Sequence, residues 1–187
     1  MPRWDPRAQE RLRDAALELF LEHGYDNVTV TEITERAGLT RRTFSRYFTD
    51  KRDVLFAGSE QLPDALAEAI VRADSALSPF DALVITIVDI GKQIVDQAPH
   101  AAQRRSVIKD SPELQERERT KFAAVSASID AALRQRGAPE SVTTLLANVG
   151  VAIFQTAFER ATDAAEPADF GTCVRDAVAE LASAIGV

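Results

Sequence analysis

The stretch Val28-Thr29-Val30-Thr31-Glu32-Ile33-Thr34-Glu35-Arg36-Ala37-Gly38-Leu39-Thr40-Arg41-Arg42-Thr43-Phe44-Ser45-Arg46-Tyr47-Phe48 decides the fold. Thr29 with Glu32 three positions on forms a capping box, and Val28 and Ile33 are spaced as its hydrophobic staple. The short helix it opens buries Val30, Ile33 and Ala37 and stops at Gly38, a residue free to take the left-handed conformation that turns the chain sharply. Only Leu39 separates that stop from Thr40, which caps a helix running to about Phe48. Phe44 and Phe48 lie four apart on one face of it, so Arg41, Arg42, Ser45 and Arg46 are free to point elsewhere. Two short helices joined by a glycine-containing turn make a helix-turn-helix.

The helix signals continue on both sides. Upstream, Asp5-Pro6 reads as a cap with proline at the first helical position, and Leu12, Ala15, Ala16, Leu19 and Phe20 recur at helical spacing until Gly24. His23 at that helix end suits the dipole, and Trp4 is read as packing the terminus. Downstream of Thr49-Asp50 a longer helix begins, kinked or restarted near Pro63 because proline removes a backbone hydrogen bond. Ser78-Pro79, Ala98-Pro99, Ser111-Pro112, Gly137-Ala138-Pro139 and Glu166-Pro167 then cut the rest into five more helices. No alternating stretch competes as a strand. The reading is an all-α chain of about nine helices. Residues 1–52 are read as one domain of three helices, and 53–187 as a second helical domain.

The 187 residues, 45% hydrophobic and 27% charged, suit a globular protein and exclude wholesale disorder or a fibrous repeat. Apolar runs such as Leu83 to Ile87 break well before the ~20 residues that cross a bilayer, so no membrane partner is expected. No apolar stretch follows Met1-Pro2-Arg3-Trp4-Asp5, and the single Cys173 forms no internal disulfide, so a cytoplasmic location is expected. His23 and His100 stand apart from any nucleophile, and no GxGxxG, P-loop or CxxC pattern occurs. Neither catalysis nor a cofactor nor a metal is expected.

The net charge of −7 hides an asymmetry. Between Arg36 and Arg52, six cations (Arg36, Arg41, Arg42, Arg46, Lys51, Arg52) stand against one acid, Asp50. A duplex presents dense phosphate charge and a major groove that admits one helix, so a reader needs cations for the backbone and polar side chains at the helix start for base edges. Thr40 to Lys51 supplies both.

Gly24-Tyr25, the run from Val28 to Phe48, and Lys51 together resemble the TetR family of transcriptional repressors over the first ~55 residues. The resemblance implies a recognition helix bearing Thr40, Arg41, Arg42, Thr43, Ser45, Arg46 and Tyr47, with Lys51 near a phosphate and Thr29 and Thr31 meeting the backbone from the preceding helix. Ser45 stands where the family usually has tyrosine, so that aromatic contact is absent and arginine is expected to compensate. Arg41 or Arg42 is expected to read guanine in each half-site of a palindromic operator.

Pro79 to Gln97 places Leu83, Val84, Ile87, Val88, Ile90 and Ile94 on one half of a helix. The helix after Ser111-Pro112 buries Leu114, Phe122, Val125, Ile129 and Leu133, yet Glu118 falls on the same stripe and needs a partner. Arg104 or Arg105 could supply it, or a polar ligand could. A cavity among these helices, walled by Leu83, Ile87, Ile94, Ile108, Phe122 and Val125, would take a mostly apolar small molecule as effector. Arg104-Arg105-Ser106-Val107-Ile108-Lys109 with Pro112 to Glu118 is also similar to the C-terminal domain of mycofactocin-associated regulators. That similarity implies an acyl-CoA-like effector, with Arg104 and Arg105 holding phosphate.

Apolar residues from Val142 to Phe158 span more than half a helix circumference, which implies a second partner surface. Leu145, Val149, Ile153 and Phe154, with Val174, Val178 and Leu181 from the last helix, are the expected homodimer interface, closing a four-helix bundle with a symmetry mate. The rival reading is an all-α protein-interaction module that binds no DNA; steep salt dependence on a duplex separates the two.

Overall fold

The computed structural model describes residues 7–98, 100–163 and 168–186. Trp4, the Asp5-Pro6 cap, Pro99 and the Glu166-Pro167 helix start lie outside the described residues. Ten α-helices and no strand occur among the described residues: α1 (Ala8–His23), α2 (Val30–Arg36), α3 (Arg41–Tyr47), α4 (Asp53–Phe56), α5 (Leu62–Arg72), α6 (Pro79–Asp96), α7 (Ala101–Lys109), α8 (Pro112–Gln135), α9 (Glu140–Asp163) and α10 (Phe170–Ile185). The fold is all-α, as the helix punctuation implies. The count exceeds nine because the helix expected after Asp50 is two: Ala57 leaves helical backbone (φ −56°, ψ 134°), and α5 restarts with Pro63 in its first turn.

Side-chain caps set several of the starts. The Ser78 hydroxyl accepts from the Asp81 N–H at 3.1 Å, and Pro79 opens α6. Asp169 caps α10 through the Thr172 N–H at 2.8 Å.

The helices gather into two compact units, Met1–Glu60 with Gln103–Glu118, and Gln61–Ala102 with Arg119–Val187. In the first, Leu12, Ala16 and Phe20 of α1 close on Ile33 of α2 and Phe44 of α3. Val107 and Ile108 of α7 and Leu114 of α8 belong to this same core. Phe20 meets Tyr25 edge-on at 5.2 Å, and Phe44 lies 5.3 Å from Phe48.

The second unit packs α6, α9 and α10 together, with α5 and the rest of α8. The inward side of α9 is built of small residues: Thr143, Ala147, Gly150, Ala157 and Ala161, with Ile153 among them. Gly91 of α6 lies under the Phe170 ring, where an added Cβ would stand 2.1 Å from Phe170 Cε1. Among the described residues α9 is long and apolar enough to cross a membrane by length and composition, which the sequence reading did not anticipate. Its mid-helix polar residues, such as Asn148 and Gln155, are uncharged, and Ala147, Gly150, Ile153 and Ala157 are buried in the core.

Candidate nucleic-acid interface and apolar cavity

The turn that presents α3 is built as its sequence demands. Gly38 has φ +63°, its N–H reaches the Glu35 carbonyl at 3.0 Å, and the Leu39 N–H reaches the Thr34 carbonyl at 2.8 Å. This pair of bonds is a Schellman stop, and a side chain at Gly38 would be strained in φ and would meet the Arg11 guanidinium at 3.1 Å. Arg11 itself donates to the Ala37 carbonyl. At the other end of α2 the capping box is complete: the Thr29 hydroxyl accepts from the Glu32 N–H, and Glu32 Oε2 accepts from the Thr29 N–H at 2.7 Å. Thr31 is exposed beside it.

Thr40 caps α3 by accepting from the Thr43 N–H at 3.2 Å, and the two hydroxyls lie 3.0 Å apart. Phe44 is 2% exposed and anchors the helix, so its outward face carries Arg41, Arg42, Ser45 and Arg46, all exposed. Tyr47 is half-buried; the Arg46 guanidinium lies 4.7 Å from its ring centroid and donates to its hydroxyl at 3.0 Å.

The six clustered cations divide into two kinds. Arg36 donates to Glu22 at 2.7 and 3.0 Å and to Glu18 at 3.3 Å, tying α2 to α1 and holding the Glu22 carboxyl below its ordinary value. Arg52 pairs with Asp50 and, at 3.1 Å, with Glu113. Lys51 donates to the carbonyls of Tyr25 at 2.7 Å, Val28 at 3.0 Å and Asp26 at 3.4 Å, with its ammonium 4.1 Å from the Tyr25 ring centroid. Burial, reinforced by Glu113 and Asp50, pushes the Tyr25 phenol up and keeps that ring neutral. By contrast Arg41 and Arg42 have no carboxylate partner among the described residues, so α3 holds the cations still able to meet an external anion.

Lys51→Met should therefore act first on stability. Three carbonyls of the α1–α2 connection lose a charged donor, at about 1–3 kcal/mol. A urea titration should register that loss while the salt slope of duplex binding changes by much less than the ~0.9 expected when one phosphate contact is removed.

The expected ligand residues separate between the units. Ile87 and Ile94 of α6 and Phe122 and Val125 of α8 line an apolar cavity of about 20 Å³ in the second unit, with Leu66 of α5 and Phe154 of α9. Leu83 is fully buried against Gly150 rather than on the lining. Arg104, Arg105, Ile108 and Glu118 lie in the first unit. Arg104 Nε donates to the Leu55 carbonyl at 2.5 Å, its guanidinium lies 4.9 Å from the Phe56 centroid, and Glu118 stands 3.7 Å away. Burial pulls its pKa down despite Glu118. The partner Glu118 needs is thus Arg104, and Ile108 is 2% exposed in the N-terminal core. Sequence reasoning offered Arg104 as that partner but placed the pair with the cavity, because the stretch 103–118 joins the N-terminal helices from more than forty residues away.

The expected interface residues also separate. Ile153 (4% exposed) and Val174 (0%) are inside the core of the second unit, and Phe154 lines the cavity, because these positions fall on the sides of α9 and α10 turned toward the unit's own helices. Leu145 is 63% exposed, with Val149, Val178 and Leu181 half-buried.

Residues 12–57 match the family model described as bacterial regulatory proteins, tetR family, and residues 77–186 match the MftR C-terminal domain. This chain belongs to the TetR family of regulators. A Mycobacterium tuberculosis protein described as a mycofactocin biosynthesis transcriptional regulator, MftR, is 30% identical to this TetR-family chain over 112 residues, 60% of it and 57% of the relative. The matched stretch spans little more than half the length of that curated relative. The SmeT–triclosan complex is similar in fold, with a TM-score of 0.63 at 20% identity over 95% of this chain and 90% of that one. Thermus thermophilus FadR in complex with lauroyl-CoA is similar at a TM-score of 0.50 and 22% identity, over 92% of each chain.

Proposed function

We propose that this TetR-type regulator is a cytoplasmic bacterial repressor that binds a palindromic duplex operator as a homodimer and is released by a mostly apolar small-molecule effector. Residues 1–52 carry the reading head, and 53–187 carry effector binding and dimerisation. The observation that supports this best is α3: capped by Thr40, seated on Phe44, and presenting Arg41, Arg42 and Arg46 outward while Arg36, Lys51 and Arg52 are spent inside the unit. Arg41 and Arg42 read base edges. Thr40, Thr43, Ser45 and Tyr47 flank them, and Thr29 and Thr31 meet the backbone from α2. Selection of duplexes from a random pool should return an inverted repeat with half-sites about 34–36 Å apart. Retention that ignores sequence, or vanishes altogether at physiological salt, would favour the protein-interaction module instead.

The homodimer reading draws on the outer side of α9 and α10, where Leu145 and Ile185 are 63% and 66% exposed beside half-buried Val149, Val178 and Leu181. The Arg160–Glu180 pair, at 2.7 and 3.0 Å, locks those two helices into one platform. A charge at the centre of such a patch would be buried unpaired on association. Leu145→Glu is expected to convert a dimer into a monomer at micromolar concentration in sedimentation analysis, with the helical circular dichroism spectrum unchanged.

A further inference from the structure

The cavity of the second unit has walls of one chemical kind. α5 contributes Leu62 and Leu66, α6 Ile87 and Ile94, and α8 Val125 and Ile129. Where Gly91 and Gly150 reach the lining they offer only helix backbone, whose N–H and C=O groups are used within the helices. No buried side-chain nitrogen or oxygen among the described residues lacks a hydrogen-bond partner, so no polar group waits there for a ligand's charge.

Phe122 and Phe154 bring rings to the cavity lining, and Phe158 and Phe170 pack on Phe154 from off the lining. Phe154 lies 6.4 Å from Phe122, 5.8 Å from Phe170 and 5.6 Å from Phe158, the last pair within 21° of parallel. Such a row offers ring faces and edges that an aromatic ligand extends by stacking or edge contact. The free volume of about 20 Å³ holds roughly one water, which apolar walls leave out, so a ligand enters by displacing side chains rather than ordered solvent. Phe122, Phe154 and Ile94 are wall residues with one side exposed.

Arg104, a cation that an ionised headgroup could use, is engaged elsewhere. Arg104 is held by the Leu55 carbonyl, Phe56 and Glu118 within the other unit. Lys121 stands over the ring of the wall residue Phe122, 4.2 Å from its centroid, and does not itself line the cavity.

We infer that the effector cavity takes an uncharged, apolar molecule bearing a flat aromatic ring, in preference to an acyl chain that ends in a carboxylate or a phosphorylated head. The inference rests on the effector-responsive reading above and narrows its ligand class. It is tested on the full chain by thermal melting and calorimetric titration with three probes: biphenyl, dodecanoate and lauroyl-CoA. Biphenyl is expected to raise Tm by about 3 °C or more and to bind at least tenfold more tightly than either ionised probe. Ile129→Trp, which fills the cavity, should abolish the biphenyl shift; Val151→Phe, on a partly exposed wall, does the same if the first variant folds poorly. Lauroyl-CoA binding more tightly than biphenyl overturns the inference, as does the absence of any shift with all three. Retention of selected duplex by the ligand-free chain, measured on the same preparation, reports the regulator reading by itself, so failure of one is seen apart from failure of the other.

Discussion

The Arg41→Ala, Arg42→Ala double variant is expected to lose its selected operator while keeping its fold. Both side chains are exposed on α3, and no carboxylate pairs with either among the described residues, so their removal leaves no buried group unsatisfied. Stability should change by no more than about 0.5 kcal/mol. A bidentate arginine–guanine contact discriminates by about 1–3 kcal/mol, and a symmetric dimer loses it twice. The sum, about 2–6 kcal/mol, corresponds to a fall of roughly 30-fold to 10⁴-fold in affinity for the selected sequence. Affinity for unrelated duplex should fall less, and its salt slope should flatten as phosphate-neutralising charge is lost. Binding isotherms on matched and scrambled duplexes at two salt concentrations measure both effects. Operator affinity within threefold of the original would remove arginine readout from the mechanism.

Arg36 provides the contrast that makes this a statement about position rather than charge. It lies in the same run of cations, yet it is locked to Glu18 and Glu22 of α1. The free energy of such an exposed pair is modest, and what it contributes is the packing of α2 on α1 rather than a contact with DNA.

Much of the reading head was legible because its signals are local. Thr29 with Glu32, Gly38 and Thr40 each act within three or four residues of themselves, and the structure realises all three as written. The all-α class followed from the same punctuation. What could not be read is long-range. Lys51 is expected from sequence near a phosphate, and the carbonyls of residues 25, 26 and 28 that its ammonium caps, more than twenty positions away, could not be read there. Arg104 and Arg105 look like an anion site, yet the loop closure that brings 103–118 to the N-terminal helices puts Arg104 on Leu55. Helical periodicity finds an apolar face and is silent on which neighbour covers it. Ile153 and Val174 thus turn inward to α6, whereas Leu145 turns outward.

Arg136→Ala is expected to cause the largest loss of stability of any single change considered, although the residue is neither apolar nor near a site. Its guanidinium donates to four carbonyls: Ala73 at 2.7 Å, Asp74 at 2.8 Å, Ile70 at 3.1 Å and Leu77 at 3.4 Å. These are the carbonyl of Ile70 in the last turn of α5, which the Ala73 N–H also reaches at 3.3 Å, and three carbonyls of the connection leading to α6. Arg136 is itself positioned by a Schellman stop at the end of α8, in which the Ala138 N–H reaches the Leu133 carbonyl at 3.1 Å and the Gly137 N–H reaches the Arg134 carbonyl at 2.9 Å. One side chain therefore joins the end of α8 to the α5–α6 connection. Hydrogen bonds from a charged donor contribute about 1.5–3 kcal/mol each, but they share one group, and Asp74 is exposed enough for water to replace its bond. A net loss of about 2–4 kcal/mol follows, or roughly 5–12 °C in Tm for a chain of this size. Arg136→Lys should recover less than half, because an ammonium has three donors and lacks the planar fork that spans four carbonyls. Urea denaturation of the three proteins measures the order directly; lysine matching arginine would mean that charge alone, not the fork, holds the α5–α6 connection.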